Sequence, residues 1–312
     1  MAHHDHDHDH AHSHDHAGGH AHGNAKGGAF ALGLGVNLAY MLVEIIAGLA
    51  AHSLALLADA AHNASDVLGL LAAFIAGRLA LRAASATYTY GMRGASILAA
   101  LTNAVLLLTV TGGIAWEAVL RLFSTPHVAG ATVMLIAAGG ILVNGGTALL
   151  FMGGQKDINV RAAFQHMASD AAMAAATVVA GALIWFTHWN WIDPVISLVV
   201  AAVIIAATWS LLRQSVAMSM DAVPDGLDTV KISAALAAVP GVVSVHDLHV
   251  WPVSTTETAL TAHLVRSDAT GDAALLAMAQ HRLEEDFGIE HATLQLESRD
   301  FDCNCAFATA EP

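Results

Sequence analysis

Six long apolar stretches follow one another between residues 29 and 213, near 29–51, 54–77, 95–120, 128–152, 162–187 and 192–213. Each runs to about 22 residues or more, and at about 1.5 Å of rise per residue a helix of that length crosses a hydrocarbon core of about 30 Å. A bundle of six membrane spans is therefore expected. Gly and Ala recur within the stretches and allow helix backbones to approach closely in lipid. Composition supports the same class: of 312 residues 56% are hydrophobic and only 12% charged, where soluble domains carry about 25% charge. The net charge of −14 with 12 Lys and Arg excludes a phosphate-backbone footprint, so no nucleic-acid partner is expected.

Six crossings return both ends of the chain to one side. The short connections on that side hold Arg78, Arg82, Arg93, Lys156 and Arg161, whereas the opposite connections hold only Arg121. The positive-inside rule then makes both termini cytoplasmic, with Trp185, Trp189 and Trp191 as anchors at the outer interface.

Two polar regions flank the bundle. Residues 1–28 contain ten His and four Asp without an apolar run, too little to offset chain entropy, so a disordered tail is expected. Its start lacks the basic and apolar regions of a secretory signal. His3, His4, His6, His8, His10, His12, His14 and His16 alternate with Asp over much of this stretch, which suits weak, exchanging capture of Zn²⁺ or Ni²⁺. Beyond residue 214 the pattern is that of a soluble domain. Residues 227–239 and 272–286 read as helices, and 242–251, 258–266 and 291–297 alternate as strands. That order suggests a small α/β domain over residues 214–300 with helices on one face of a sheet. Residues 301–312 form a short tail bearing Cys303 and Cys305, which a cytoplasmic position would keep reduced and suited to Zn²⁺ as thiolates.

The chemistry lies inside the membrane. The second and fifth stretches each contain HxxxD, His62 with Asp66 and His166 with Asp170. Positions i and i+4 share one helix face, so each helix presents an imidazole and a carboxylate together. An ionised carboxylate at the bilayer centre costs about 2.5–3.5 kcal/mol or more, and two such acids in separate spans point to a shared purpose. Two aspartates and two neutral histidines balance one divalent cation. The set is tetrahedral and borderline in softness, favouring Zn²⁺, compatible with Co²⁺ or Cd²⁺, and unlike the six-oxygen shell of Mg²⁺. Asp59 shares the face of His62 and Asp66, as an outer stepping site, a partner behind the ligands or a proton carrier. Glu44 and Glu117 are further embedded acids, read either as protonated links between helices or as parts of a water path.

These residues resemble the cation diffusion facilitator family, in particular its bacterial zinc, cobalt and cadmium exporters. The resemblance runs over SLALLADAAHNASD at 53–66, YGMRGASILAALTNAVLL at 90–107, the HMASD of the fifth span and VHDLHVW at 245–251. It implies an α-helical membrane protein of six spans in the inner membrane, with a cytoplasmic ferredoxin-like, metallochaperone-like domain. It also implies homodimerisation and exchange of zinc for protons. Zinc would be both substrate and regulatory ligand, with no organic cofactor. The transport ligands would be His62, Asp66, His166 and Asp170. The cytoplasmic ligands would be His246, His263 and Glu297, with His291, Cys303 and Cys305 as additional candidates. One departure stands out: many relatives carry Arg and Glu after the second span, and here Ser96 occupies the Glu position.

Without the family, the cytoplasmic histidines say less. His246 and His249, three apart on a strand, point to opposite faces, and His263 on the next strand is able to pair with either. An enzyme using one His-Asp pair as base and orienter leaves the second pair unassigned. No phosphate-binding GxxxxGK[ST] loop is present to make the chain an ATP-driven pump. A membrane-tethered metal sensor is the remaining alternative.

Overall fold

The computed structural model describes residues 23–151, 158–267 and 271–301. The histidines of the expected N-terminal metal-capturing tail, His3 to His16, and the Cys303–Cys305 pair lie outside the described residues.

Six long helices come first: α1 (Gly23–Ala51), α2 (Leu54–Ala80), α3 (Ala95–Phe123), α4 (Gly130–Phe151), α5 (Ile158–Thr187) and α6 (Ile192–Ser219). Five are long and apolar enough to cross a membrane along their described length, and α1 adds the apolar segment Gly35–Ala51. Small side chains fill the interior, with Ala104, Ala118, Ala137 and Ala174 fully buried, while Ile46, Leu142 and Phe186 stand exposed on the outside. That inversion of the soluble pattern is what lipid as a solvent requires. The most extensive helix-helix contact among the described residues joins α4 to α5. A Cβ on Gly130 would lie 2.8 Å from the Gly181 carbonyl, and one on Gly181 would lie 2.6 Å from the Met134 nitrogen. Only glycine fits at either position.

Three connections meet at one end of the bundle. The Ala129 amide donates to the Ala51 carbonyl at 3.2 Å, and the Val128 amide donates to Asn190 Oδ1 at 3.0 Å. Ser53 Oγ and the Leu54 amide donate to Asp193 at 2.5 and 2.8 Å. The three tryptophans lie at this end, each about half exposed, with Trp189 and Trp191 stacked at 5.9 Å. Glu117 differs from its expected burial: it is 48% exposed and pairs with Arg121 at 3.0 Å. An average of hydropathy over a span does not tell which face an acid occupies, and here an arginine one turn on draws it to the surface.

At the opposite end sits the second unit, α7 (Thr229–Ala237), β1 (Val242–Pro252), β2 (Thr258–Arg266), α8 (Asp272–Phe287) and β3 (His291–Glu297). Asp228 caps α7 by accepting from the Val230 and Lys231 amides. Gly288 ends α8 at φ +66, a left-handed conformation that glycine adopts without steric cost. The sheet order is β1-β2-β3. β1 runs antiparallel to β2, and β3 runs parallel to β2, which requires the crossover that α8 supplies. Ile232 and Leu236 from α7, Leu260 and Leu264 from β2, and Leu275 and Leu283 from α8 form the core. The tip of the β1–β2 hairpin meets the segment between α2 and α3: Glu257 pairs with Arg93, and the Thr255 amide donates to Ser96 Oγ at 3.1 Å. Ser96 is thus an acceptor for the second unit.

Candidate metal centre

Helices α2 and α5 bring the two HxxxD pairs together. Within α2, His62 Nε2 lies 3.8 Å from Asp66 Oδ2, and within α5, His166 Nε2 lies 3.7 Å from Asp170 Oδ2. Across the helices, His62 Nε2 stands 3.4 Å from Asp170 Oδ1, and His166 Nε2 stands 3.2 Å from Asp66 Oδ2. The imidazoles meet edge to face at 6.0 Å. One donor atom from each residue fits within a group no wider than 4.8 Å. A tetrahedral zinc with bonds of about 2.0–2.1 Å spaces its ligand atoms about 3.3 Å apart, close to these separations. The set is also uneven in access: Asp170 is 2% exposed, whereas His166 and Asp66 are 41% and 34% exposed. The site is closed behind Asp170 and open on the side of His166 and Asp66.

Acids on neighbouring turns are buried beside this centre. Glu44 on α1 is fully buried and accepts from Tyr40 Oη at 3.0 Å and Asn63 Nδ2 at 3.1 Å. Asp59 on α2 is 2% exposed, and neither of its oxygens has a partner within hydrogen-bond geometry among the described residues. Asp193, buried at the start of α6, holds the first turn of α2. The sequence offered a signal for it, an acid just before Pro194 at the start of a span, the pattern of a helix first turn.

In the second unit, His246 on β1 faces His263 on β2 in register. His246 Nε2 lies 2.9 Å from Glu297 Oε2, and His263 Nδ1 lies 3.0 Å from Glu297 Oε1. The three residues offer donor atoms within 4.8 Å of one another, and Gln295 donates to the Glu297 carboxylate at 2.8 Å. Asp247 was not singled out from the sequence. It takes φ +50 in a register shift between His246 and His249, and this bulge breaks the strict alternation that would set those two histidines on opposite faces. Asp247 then lies 3.1 Å from His249 Nε2 and 3.6 Å from His263 Nε2. His291 is not brought to this cluster. It begins β3, at the far end of the strand from Glu297, and its ring packs edge-on against Tyr90 at 5.4 Å.

Comparison with known proteins places both units. Residues 31–218 match the model of the cation efflux transmembrane domain, and residues 224–299 match the cation efflux protein cytoplasmic domain. The metal cation efflux system protein CzcD of Cupriavidus metallidurans is 32% identical over 269 residues, 85% of each chain. The zinc transporter ZitB of Escherichia coli is 35% identical over 267 residues, 84% of this chain and 85% of that protein. A Bacillus subtilis protein named as a cadmium, cobalt and zinc/H⁺-K⁺ antiporter is 32% identical over 265 residues, 83% of this chain and 85% of that protein. A solved metal-bound C-terminal domain of the CzcD transporter is 33% identical, covering 23% of this chain and 99% of its own, with a TM-score of 0.22.

Proposed function

The chain belongs to the cation diffusion facilitator family of cation efflux proteins, and on that premise we propose that it exports zinc from the cytoplasm in exchange for protons. Co²⁺ and Cd²⁺ are chemically allowed alternatives. The observation that carries the reading is the convergence of His62, Asp66, His166 and Asp170 from two helices on one tetrahedron-sized space. With both carboxylates ionised and both imidazoles neutral, the four donors neutralise and replace the water around one divalent cation. A protonated imidazole has no lone pair to offer, so protons and metal compete for the same nitrogens. Alternating access of the bundle to the two sides turns that competition into exchange. The ions enter from the side of the second unit, which we place in the cytoplasm of an inner-membrane homodimer. There His246, His263 and Glu297 bind metal as a regulatory ligand, with the N-terminal histidines and the Cys303–Cys305 pair as further donors.

Purified protein in vesicles with an internal zinc dye tests this. Expected is zinc flux that follows an imposed pH gradient and is lost in Asp66→Ala and Asp170→Ala, each of which takes a ligand from the ion. Zinc binding without flux in the parent protein would favour a membrane-tethered sensor and end the exporter reading.

A further inference from the structure

Two polar groups beside the candidate metal centre lack hydrogen-bond partners among the described residues, and they are complementary. One is the carboxylate of Asp59, whose two oxygens are both buried and unmatched; the other is His62 Nδ1, buried and equally unmatched. A buried polar group without a partner costs about 1–3 kcal/mol, and a carboxylate in a membrane interior costs more. Such groups persist where a functional state supplies what is missing.

The local geometry suits a bond between them. Asp59 precedes His62 by three residues on α2, a separation of about 4.5 Å along the axis and nearly the same face. Long side chains on a helix lean toward its N-terminus, so the His62 ring extends over the turn that bears Asp59. The other ring nitrogen, Nε2, faces Asp170 and Asp66, leaving Nδ1 for a partner behind the ligand. The nearby Glu44 does not meet the need of Asp59. Both of its oxygens are already engaged, accepting from Tyr40 and Asn63.

We propose that Asp59 is the positioning residue for His62. By accepting a hydrogen bond from Nδ1–H, it fixes the tautomer in which the Nε2 lone pair is directed at the ion. A metal-bound histidine commonly requires such a partner to hold its ring and raise its basicity. His62 and His166 are then not equivalent: the first is held from behind by a buried carboxylate, and the second lies at the open side of the site. The inference rests on the transport reading above.

A double-mutant cycle on the full-length protein in vesicles, read as initial zinc flux, separates positioning from general structure. Asp59→Leu is expected to raise the zinc concentration for half-maximal flux by about 10–100-fold, with the maximum rate much less affected. Asp59→Asn keeps a neutral acceptor and should recover most of that loss. In a His62→Asp background there is no Nδ1–H to hold, so Asp59→Leu should add less than about twofold. In a His166→Asp background its full effect should remain. An effect of equal size in both backgrounds, or none in the parent, overturns the proposal. If Asp59→Leu does not fold, Asp59→Ala, which likewise removes the acceptor, is read in the same way: a shift that disappears only with His62→Asp supports the proposal, and no shift in the parent or one that persists with His62→Asp overturns it. A parent protein without flux would instead sink the transporter reading itself.

Discussion

At the scale of single residues, the donor set decides which ion is held. Two imidazoles and two carboxylates make a centre of mixed softness, and changing one donor should move selectivity in a definite direction. His62→Asp replaces a borderline nitrogen with a hard oxygen, shifting preference toward Mn²⁺ and away from Zn²⁺. The ratio of Mn²⁺ to Zn²⁺ flux should rise by about tenfold, equivalent to about 1.4 kcal/mol of differential binding. Competition of the two ions for one population of vesicles measures it, and an unchanged ratio would mean that His62 is not a ligand. The convergence of these four side chains was legible because a pair at i and i+4 specifies a helix face without knowledge of the fold, and two such pairs in separate spans suggest a meeting point. Glu117 was less legible. Arg121 one turn on was the one mark of it in the sequence, and packing separates the buried Glu44 from this acid, 48% exposed.

Among the elements, α2 carries most of the candidate site and its flank, since Asp59, His62 and Asp66 all lie on it. Its first turn is fixed from another helix: Asp193 on α6 accepts from Ser53 Oγ and the Leu54 amide, while Ser53 Oγ also accepts from the Leu56 amide. Asp193→Ala would leave a buried hydroxyl and a buried amide without their acceptor, at about 1–3 kcal/mol for each group. The variant should melt at a lower temperature in detergent than the parent, whereas Glu117→Gln, which breaks an exposed ion pair worth at most about 1 kcal/mol, should melt nearly as the parent does. Equal melting of Asp193→Ala and the parent would show that this cap holds nothing. Helix and strand positions were readable because apolar length and alternation are local properties. The bulge at Asp247 was not, because a register shift is set by pairing with β2 and leaves no mark in the residue pattern of β1. That bulge is what brings Asp247 to His249 and His263.

For the molecule as a whole, the question is how metal on the second unit is felt in the bundle. The physical link is the β1–β2 hairpin. Its tip is rigid, with the Val253 and Ser254 amides donating to the Glu257 carbonyl and Ser254 Oγ accepting from the Thr256 and Glu257 amides. From the tip, paired strands run about 17 Å to His246 and His263. On the bundle side, Arg93 and Ser96 meet the tip at the start of α3, which packs along α2 through Ser65 and Asn103. Metal bound at His246, His263 and Glu297 shifts the bundle only if its affinity differs between conformations, and the shift cannot exceed that difference. The hairpin's share of the link is one exposed ion pair and one hydrogen bond, each worth about 1 kcal/mol, beside the Tyr90–His291 ring contact, so the coupling through the hairpin should be modest, about five- to tenfold. Removing the proposed regulatory ligands with His246→Ala and His263→Ala should then raise the zinc concentration for half-maximal flux by about that factor, with the maximum rate retained. With Glu257→Ala and Ser96→Ala already in place, the same histidine changes should have almost no further effect. Measured zinc dependence of flux in the four proteins decides the matter: a histidine effect that survives loss of the hairpin contacts would mean that the units communicate through another route, such as the Tyr90–His291 ring contact.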